Sequence, residues 1–304
     1  MIKAGFIGLI GQPNAGKSSL MNYLIDERVS IVTPKPQTTR RRILGIYNDD
    51  SAQIVFIDAP GLVKAVKGLN AFLEKEAHEV MNESDALIAV LSLDEKLAEN
   101  NEDVLKLVSH SKKPWLAIIT KTDLSEYAHR SLILKEMIEK YGGKSYSIST
   151  LNTKKDASYQ EDKTLILDDI KRLLPDSAAP LYDSEIYTTE NVRALCEEIV
   201  REKCFENLTH ELPYQIAVMV RKFDEDSKPC PKIYTDIMVA KDSQKAIVIG
   251  QKAQMIKKIS TESRKEIEKL MGEKVYLELN VVVKDNWYDH HQTMKELGYI
   301  HDRK

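Results

Sequence analysis

The feature that most constrains this chain is a glycine-rich octapeptide near its start. Residues 11–18 read Gly-Gln-Pro-Asn-Ala-Gly-Lys-Ser and match the pattern G-x-x-x-x-G-K-[S/T]. An apolar run, Ala4–Ile10, precedes it, and Ser18–Ile25 follows with apolar residues at helical spacing. In a strand–loop–helix setting the glycines let backbone N–H groups wrap a phosphate chain, and the helix N-terminus adds its positive end. The sequence therefore predicts a site for a nucleoside triphosphate.

Two side chains of this turn have distinct predicted roles. Lys17 is expected to reach the terminal phosphates, and the Ser18 hydroxyl is expected to ligate Mg²⁺. The other predicted contacts in the turn are Gly11, Gln12, Pro13, Asn14, Ala15, Gly16 and Ser19.

A second motif, Asp58-Ala-Pro-Gly61, closes the third predicted strand. An aspartate at a strand end beside a magnesium–triphosphate can hold the metal through a water, and Gly61 can offer its backbone N–H to the γ-phosphate. Four such residues alone carry little information, but their position about forty residues after a phosphate-binding turn makes the signal strong. The predicted site includes Asp58, Ala59, Pro60, Gly61 and Leu62.

The base is expected to be read by Thr120-Lys121-Thr122-Asp123, which closes the fifth predicted strand. The Asp123 carboxylate can accept hydrogen bonds from guanine N1–H and the exocyclic amine, a donor pair that adenine lacks. Lys121 can lay its aliphatic stem along the base. Thr120 stands where the guanine-reading pattern has asparagine, and its hydroxyl can make fewer contacts. Ser149-Thr150 either offers backbone N–H groups to the base oxygen or is a plain loop.

A further metal ligand is expected from the segment Pro36-Gln-Thr-Thr-Arg40, between the first helix and second strand. A threonine in a loop over the triphosphate can complete the coordination shell of Mg²⁺ and can dissociate from the metal after hydrolysis. Thr38 and Thr39 both qualify, and Thr39 is favoured. The alternative is a polar surface loop.

Length and composition point to two soluble domains. The chain has 304 residues and a formal net charge of −3, so any nucleic-acid-binding surface must be local. The three cysteines, Cys196, Cys204 and Cys230, lack metal-ligand spacing, which fits a reducing, cytosolic compartment. No apolar run approaches the length of about 18–20 residues that a membrane-spanning helix needs.

The first ~175 residues alternate between strand and helix patterns. Strands are predicted at Ala4–Ile10, Arg42–Tyr47, Gln53–Asp58, Ala86–Leu93, Trp115–Thr120 and Ser145–Ile148. Helices are predicted at Lys17–Asp26, Leu69–Asn82, Asn101–Ser111, His129–Tyr141 and Leu165–Leu174. Continuous apolar strands separated by helices indicate a mostly parallel sheet covered on both faces, with ligand loops at the carboxyl ends of its strands.

A change of pattern follows Pro175–Pro180, which reads as a linker. Beyond it we predict a long helix at about Thr189–Leu208, followed by strands near Gln215–Phe223 and Lys232–Ala240. The Ile-Val-Ile-Gly segment at 247–250 comes next, and a helix at Gln254–Met271 and a last strand at Val275–Val283 follow it. The predicted domains are therefore 1–175 and 189–304, joined by a linker over 176–188.

The order of the motifs in the first domain resembles that of translation-factor-class GTPases, and the phosphate-binding turn is most similar to the TrmE–Era group. The resemblance implies an α/β P-loop GTPase domain with a mixed, mostly parallel six-stranded sheet. Leu62 stands where many GTPases place a water-orienting glutamine. The resemblance implies that this position is hydrophobic in the TrmE–Era group, so the attacking water would be organised in another way. Asn14 matches a residue that can help bind K⁺ beside the phosphates, or it simply suits a tight turn.

The second domain resembles the KH domain of this group. The similarity lies in Arg201–Tyr214, which includes Arg-Glu-Lys and Glu-Leu-Pro-Tyr, and in Ile247–Ile259, which matches the KH loop signature. It implies an α+β type II KH domain that binds single-stranded RNA through its loop. The expected RNA contacts are Gly250, Gln251, Lys252, Ala253, Lys257 and Lys258. Ala253 replaces a glycine, adds a methyl group and restricts positive φ. Trp287 either stacks on a base or belongs to the core, and the core is favoured.

Taken together, the resemblance implies a slow GTP-hydrolysing switch that uses GTP/GDP and Mg²⁺ and binds the 3′ region of 16S rRNA in 30S subunit assembly. Catalytic roles are expected for Lys17, Thr39, Gly61 and Asn14. The protein would be a cytoplasmic monomer, with peripheral association at the inner membrane. One alternative is an RNA-binding assembly factor whose nucleotide site is weakened and structural, which Thr120 favours slightly. Another, an ATP-using enzyme, is disfavoured by Asp123.

Overall fold

The computed structural model describes residues 1–33, 35, 39–62, 68–94, 98–151, 157–297 and 299. Of these residues, those up to 62 and those from 73 to 189 form one compact unit, and those from 68 to 72 and from 190 onward form the other. Each unit has its own hydrophobic core. Among the described residues, none of the helices has the length and apolar character required to traverse a bilayer.

The first unit is built on one mixed sheet of seven strands. The strands are β1 (Ile2–Gly11), β2 (Ile43–Asn48), β3 (Ala52–Asp58), β4 (Ala86–Ser92), β5 (Trp115–Thr120), β6 (Ser145–Ser147) and β7 (Asp176–Ser177). The main path runs β2-β3-β1-β4-β5-β6, and β7 pairs with the start of β1. β1, β3, β4, β5 and β6 are mutually parallel, whereas β2 is antiparallel to β3. The predicted mixed sheet is confirmed, with the two-residue β7 added to its six strands.

Helices cover both faces of this sheet. They are α1 (Lys17–Ile25), α2 (Gly68–Glu83), α3 (Ala98–His110), α4 (His129–Lys140) and α5 (Ala157–Leu173). Alternate residues of β4 show the two layers: Ile88 packs in the cluster with α1 and α5, and its neighbour Leu87 packs in the cluster with α2, α3 and α4. All seven residues of β4 are buried, which explains its continuous apolar sequence. The sequence placed the start of α5 eight residues too late, because residues 157–164 are mostly polar.

The segment predicted as a linker, 176–188, lies in the first unit. Its start forms β7, and its later part runs along β2, where Ile46 N donates to Tyr187 O at 2.8 Å. The buried Gln53 side chain accepts hydrogen bonds from the N–H groups of Leu181 and Tyr182 at 2.7 and 2.8 Å. The prolines and small residues at 175–180 predicted a break in the chain, but these hydrogen bonds hold the segment against the sheet edge.

The second unit contains α6 (Val192–Asn207), β8 (Ala217–Asp224), β9 (Lys232–Val239), α7 (Asp242–Ile249), α8 (Gln254–Met271), β10 (Tyr276–Val283) and α9 (His291–Glu296). Its sheet has the order β10-β9-β8, with β10 parallel and β8 antiparallel to β9. This α-β-β-α-α-β order agrees with the predicted type II KH topology. The prediction omitted α9, which is only six residues long.

The buried side chains of this unit settle two interpretations. Trp287 is fully buried and donates from Nε1 to Gln215 O at 2.9 Å, so its predicted core role is confirmed. Cys196 and Cys204 are buried on α6, and burial raises the pKa of each thiol to about 12. Both behave as small apolar residues of the core.

Candidate nucleotide and RNA sites

The phosphate-binding turn connects β1 to α1, as the motif predicts. Two of its residues have positive φ: Asn14 at 65° and Gly16 at 90°. Such angles are readily adopted by glycine and are tolerated by asparagine, so both residue types suit the turn. Asn14 is exposed and lines the cavity described below.

Lys17 is held over this turn by backbone carbonyls. Its Nζ donates to Gly11 O at 3.2 Å and to Gln12 O at 3.0 Å, and the residue is buried. Burial lowers the pKa of Lys17 to about 8, although the charge of Asp58 acts to raise it. The negative charge of Asp58 therefore does not fully offset the cost of burying the Lys17 ammonium group. An anionic phosphate chain would supply the additional negative charge.

Asp58, at the end of β3, is the focus of a cluster of hydroxyl groups. Its Oδ2 accepts hydrogen bonds from Ser18 at 2.5 Å, from Ser30 at 3.0 Å and from Thr39 at 3.3 Å. Ser18 Oγ and Thr39 Oγ1 are also 2.9 Å apart. Burial raises the pKa of Asp58, while Lys17 and these hydroxyls oppose the rise. The cluster thus brings the three predicted metal ligands, Ser18, Thr39 and Asp58, into one place.

These groups fit a magnesium ion. Among the described residues, the buried Asp58 Oδ1 has no hydrogen-bond partner. An orphaned carboxylate oxygen beside two hydroxyls is the all-oxygen donor set that a hard divalent cation prefers. The competing candidate, Thr38, lies outside the described residues.

Gly61 is required by close packing against the phosphate-binding turn. A Cβ atom at Gly61 would lie 2.5 Å from Pro13 N and 2.6 Å from Pro13 Cα, and the backbone of the turn cannot easily move. Leu62 N donates to Gly11 O at 3.1 Å, and Ala59 is buried. The Asp58–Leu62 segment is therefore held directly against the turn.

Asp123, the predicted base-reading residue, is exposed and lines the cavity. Its Oδ1 accepts a hydrogen bond from Ser149 Oγ at 2.6 Å, and Thr122 N donates to Ile148 O at 3.4 Å. Ser149 therefore orients the carboxylate by its side chain, a role that neither sequence interpretation of Ser149-Thr150 included.

Thr120 joins β5 to the phosphate-binding turn. Its Oγ1 lies 2.7 Å from Ala15 O and 3.2 Å from Leu91 O, and the residue is 1% exposed. The short hydroxyl thus makes the structural tie between the base-reading segment and the turn. Lys121 Nζ lies 2.7 Å from Asp94 Oδ2, and Asp94 is a cavity residue that sequence reasoning missed.

One cavity of about 490 Å³ connects these groups. Predicted residues in its wall are Pro13, Asn14, Gly16, Lys17, Ser18, Ser19, Thr39, Gly61, Thr120, Lys121, Asp123 and Thr150. The wall also contains Ile31, Val32, Thr33, Lys35, Asp94, Leu124 and Leu151, which were not predicted. The remaining predicted residues do not line the cavity and lie beside lining residues along the chain or behind them: Gly11, Gln12, Ala15, Asp58, Ala59, Pro60, Leu62, Thr122 and Ser149. The cavity runs from the phosphate turn to the predicted base reader.

In the second unit, the predicted RNA-binding loop connects α7 to α8. Gly250, Lys252 and Ala253 have φ values of 72°, 50° and 59°. The Ala253 backbone therefore adopts the left-handed conformation that its side chain disfavours. Gln251, Lys252, Lys257 and Lys258 are exposed around the loop and the first turns of α8, and Lys258 Nζ lies 3.9 Å from Glu262.

Comparison with known proteins identifies a GTPase family in the first domain and the KH family in the second. Residues 6–121 match the family described as 50S ribosome-binding GTPase, and residues 211–288 match the KH domain family. GTPase Era of Caldicellulosiruptor saccharolyticus is 38% identical over 304 residues, covering 98% of this chain and 97% of its own. GTPase Era of Geotalea daltonii is 37% identical, with 97% of both chains covered. This chain belongs to the Era family of GTPases.

Two solved Era structures share the whole fold. A point variant of Aquifex aeolicus Era bound to GDP·AlF4⁻ is 31% identical, with a TM-score of 0.89 over 98% of this chain and 99% of that one. A second Era structure, in complex with MgGDPNP and nucleotides 1506–1542 of 16S rRNA, is 30% identical with the same TM-score and coverage. The predicted resemblance to the TrmE–Era group and the order of a P-loop GTPase domain before a KH domain are thus confirmed.

Proposed function

We propose that this member of the Era family is a GTP-hydrolysing switch that binds the 3′ region of 16S rRNA and acts in 30S subunit assembly. The observation that carries the proposal is that Lys17, the Ser18–Thr39 hydroxyl pair and Asp123 all line one shared cavity. Groups that can bind phosphates, a metal ion and a base therefore lie along one cavity that is large enough for a nucleotide. The Era structures that hold GDP·AlF4⁻, MgGDPNP and 16S rRNA nucleotides support the same assignment.

In this proposal the phosphate end of the site acts by charge and position. Lys17 and the amides of the turn neutralise the β- and γ-phosphates, and Gly61 N–H senses the γ-phosphate. Ser18, Thr39 and Asp58 would hold Mg²⁺, which when bound would neutralise charge that develops on the phosphate oxygens. Thr39 is expected to leave this set after hydrolysis, when the γ-phosphate is no longer part of the bound nucleotide.

At the base end, Asp123 selects guanine. Its carboxylate is exposed to the cavity and oriented by the Ser149 hydroxyl, so it can accept from both N–H donors on the guanine edge. Thr150 lines the cavity next to it and is proposed to face the base. The intact hydrogen bonds of Thr120 argue against the alternative of a decayed, structural nucleotide site.

The proposed binding of RNA is assigned to the KH loop. Gly250, Gln251, Lys252 and Ala253 would approach the backbone of single-stranded RNA, with Lys257 and Lys258 adding positive charge. The fold of the loop itself requires Gly250, since a Cβ atom there would lie 2.7 Å from Met255 Cβ.

Four finer assignments complete the proposal. K⁺ would bind beside the phosphates with help from Asn14, a residue that lines the cavity. Location in the cytoplasm as a monomer, and peripheral contact with the inner membrane, rest on the resemblance to the group.

The test compares GTP turnover in K⁺ and Na⁺ buffers with Lys17→Ala as the control. We expect phosphate release that depends on Lys17 and is faster in K⁺. Turnover that is equal in both buffers would contradict the potassium assignment alone. Absence of Lys17-dependent turnover in either buffer would favour the RNA-binding factor with a structural nucleotide site, and preference for ATP would favour the ATP-using enzyme. Binding of an oligonucleotide from the 16S rRNA 3′ end, against one of scrambled sequence, tests the RNA assignment.

A further inference from the structure

Ser30 makes a contact with the metal cluster that the proposed function leaves unused. Its Oγ donates to Asp58 Oδ2 at 3.0 Å, and the residue is 3% exposed. It is absent from the described residues that line the cavity, although Ile31 and Val32, which follow it, are among them. Ser30 therefore contacts the carboxylate from a position outside the described lining of the cavity.

The position of Ser30 is set by Asn22 on α1. Asn22 Oδ1 accepts hydrogen bonds from Val29 N and Ser30 N, both at 3.0 Å, and Asn22 Nδ2 donates to Ser30 O at 2.8 Å. These three bonds fix the backbone on both sides of Ser30. Because α1 also begins at Lys17, one helix carries both the phosphate-binding lysine and the clamp for Ser30.

The three hydroxyls on Asp58 are not equivalent. Ser18 and Thr39 border the cavity, so their oxygens are available to a metal. Ser30 is bonded to the Oδ2 atom, and the orphaned Oδ1 is the atom left for the metal and its water. When the other two hydroxyls serve the metal, Ser30 is the hydroxyl that continues to hold Oδ2.

We propose that Ser30, clamped by Asn22, is a positioning residue that orients the Asp58 carboxylate toward Mg²⁺ in both nucleotide states. Thr39 is proposed to leave after hydrolysis, so the contribution of Ser30 is greatest with GDP. This inference rests on the proposed function, because it requires a guanine nucleotide whose binding depends on Mg²⁺.

The experiment measures release of a fluorescent GDP analogue from the full-length protein across a titration of free Mg²⁺. For Ser30→Ala we expect the Mg²⁺ concentration for half-maximal retention to rise about tenfold, the low end for loss of an outer-shell partner. GDP affinity in excess EDTA should stay unchanged, because Ser30 acts only through the metal. The matched control is Ser84→Ala, which removes a hydroxyl that is equally buried and donates to Val80 O.

A double-mutant comparison identifies the route of the effect. In an Asp58→Asn background, Ser30→Ala should cause no further rise in the Mg²⁺ requirement, since the carboxylate it orients is gone. Circular dichroism and the unfolding transition of each variant show that it is folded.

Several results would overturn the inference. An unchanged Mg²⁺ midpoint in Ser30→Ala would do so, as would an equal loss of affinity with and without Mg²⁺, or a full additional effect in the Asp58→Asn background. If the unmodified protein bound no guanine nucleotide, the proposed function would fail as well. If it retained GDP in a Mg²⁺-dependent way and Ser30→Ala matched it, only the role of Ser30 would fail.

Discussion

The ammonium group of Lys121 lies 2.7 Å from the carboxylate of Asp94, across the gap between the ends of β4 and β5. Asp94 also accepts a hydrogen bond from Ser92, and both Asp94 and Lys121 line the nucleotide cavity. Burial acts to raise the pKa of Asp94, but the hydrogen bonds from Lys121 and Ser92 outweigh it and lower the pKa below its usual value. The pair holds the lysine stem where the base is expected.

Asp94→Ala should therefore weaken binding at the base end of the site. We expect affinity for GTP and GDP to fall equally, by about fivefold, which corresponds to about 1 kcal/mol for a partly exposed ion pair. Calorimetric titration with each nucleotide measures it. Glu102→Gln, which breaks an exposed helical pair with Lys106, is the control and should have no effect. A loss confined to GTP would contradict this assignment.

Asp123→Asn should change which base the protein selects. An amide can donate where the carboxylate accepted, so it matches the carbonyl that xanthine carries in place of the guanine amine. We expect GTP affinity to fall by about a hundredfold or more and xanthosine triphosphate to bind better than GTP. Competition against a fluorescent GTP analogue checks this result, with the exposed Glu126→Gln as the control. Unaltered preference for GTP would show that Asp123 does not read the base.

Gly61→Ala should separate the triphosphate from the diphosphate. The added methyl group would meet the Pro13 backbone, so we expect a stability loss of about 1–3 kcal/mol and weaker binding of a GTP analogue, with GDP binding less affected. Gly142→Ala is the control: Gly142 has a φ of 79°, and its Cβ would meet no described atom within 4 Å. That variant should lose about 1 kcal/mol of stability through backbone strain and keep its nucleotide affinities. Equal losses for both nucleotides in Gly61→Ala would argue against a γ-phosphate sensor.

Ala253→Gly should strengthen the KH loop. Relief of the left-handed strain, less the entropy that glycine adds to the unfolded chain, should stabilise the protein by about 0.5–1 kcal/mol. Removing the methyl group should also raise affinity for single-stranded RNA, measured by fluorescence anisotropy. Ala246→Gly in α7 is the opposite control and should cost about 1 kcal/mol, because it lies within a helix. A loss of RNA affinity in Ala253→Gly would refute this account of the loop.

Thiol chemistry should distinguish the three cysteines. Burial raises the pKa of Cys196 and Cys204 to about 12, so at pH 8 both stay protonated and inaccessible to a thiol reagent. Cys230 is partly exposed. We expect one thiol to react in the native protein at pH 8 and three in denaturant, and Cys230→Ser should leave none reactive in the native state. Rapid reaction of two or three native thiols would contradict the packing of α6.

The sequence by itself determined the order of the elements and the identity of the main site residues. Hydrophobic periodicity and the spacing of glycine, lysine and aspartate motifs are local properties, so the strands, most helices and the Lys17, Asp58 and Asp123 positions could be read directly from the chain. The resemblance to known motifs then supplied the domain types.

Only the tertiary structure decided how those residues are supported. Ser30 reaches Asp58 across 28 residues of chain, Lys121 reaches Asp94 across 27, and Ser149 reaches Asp123 across 26. A serine or aspartate in a loop carries no local pattern that names its partner, because the contact exists only once neighbouring strand ends come together. The same holds for Thr120: the sequence shows that asparagine is replaced, but only the folded sheet brings the hydroxyl to Ala15 O.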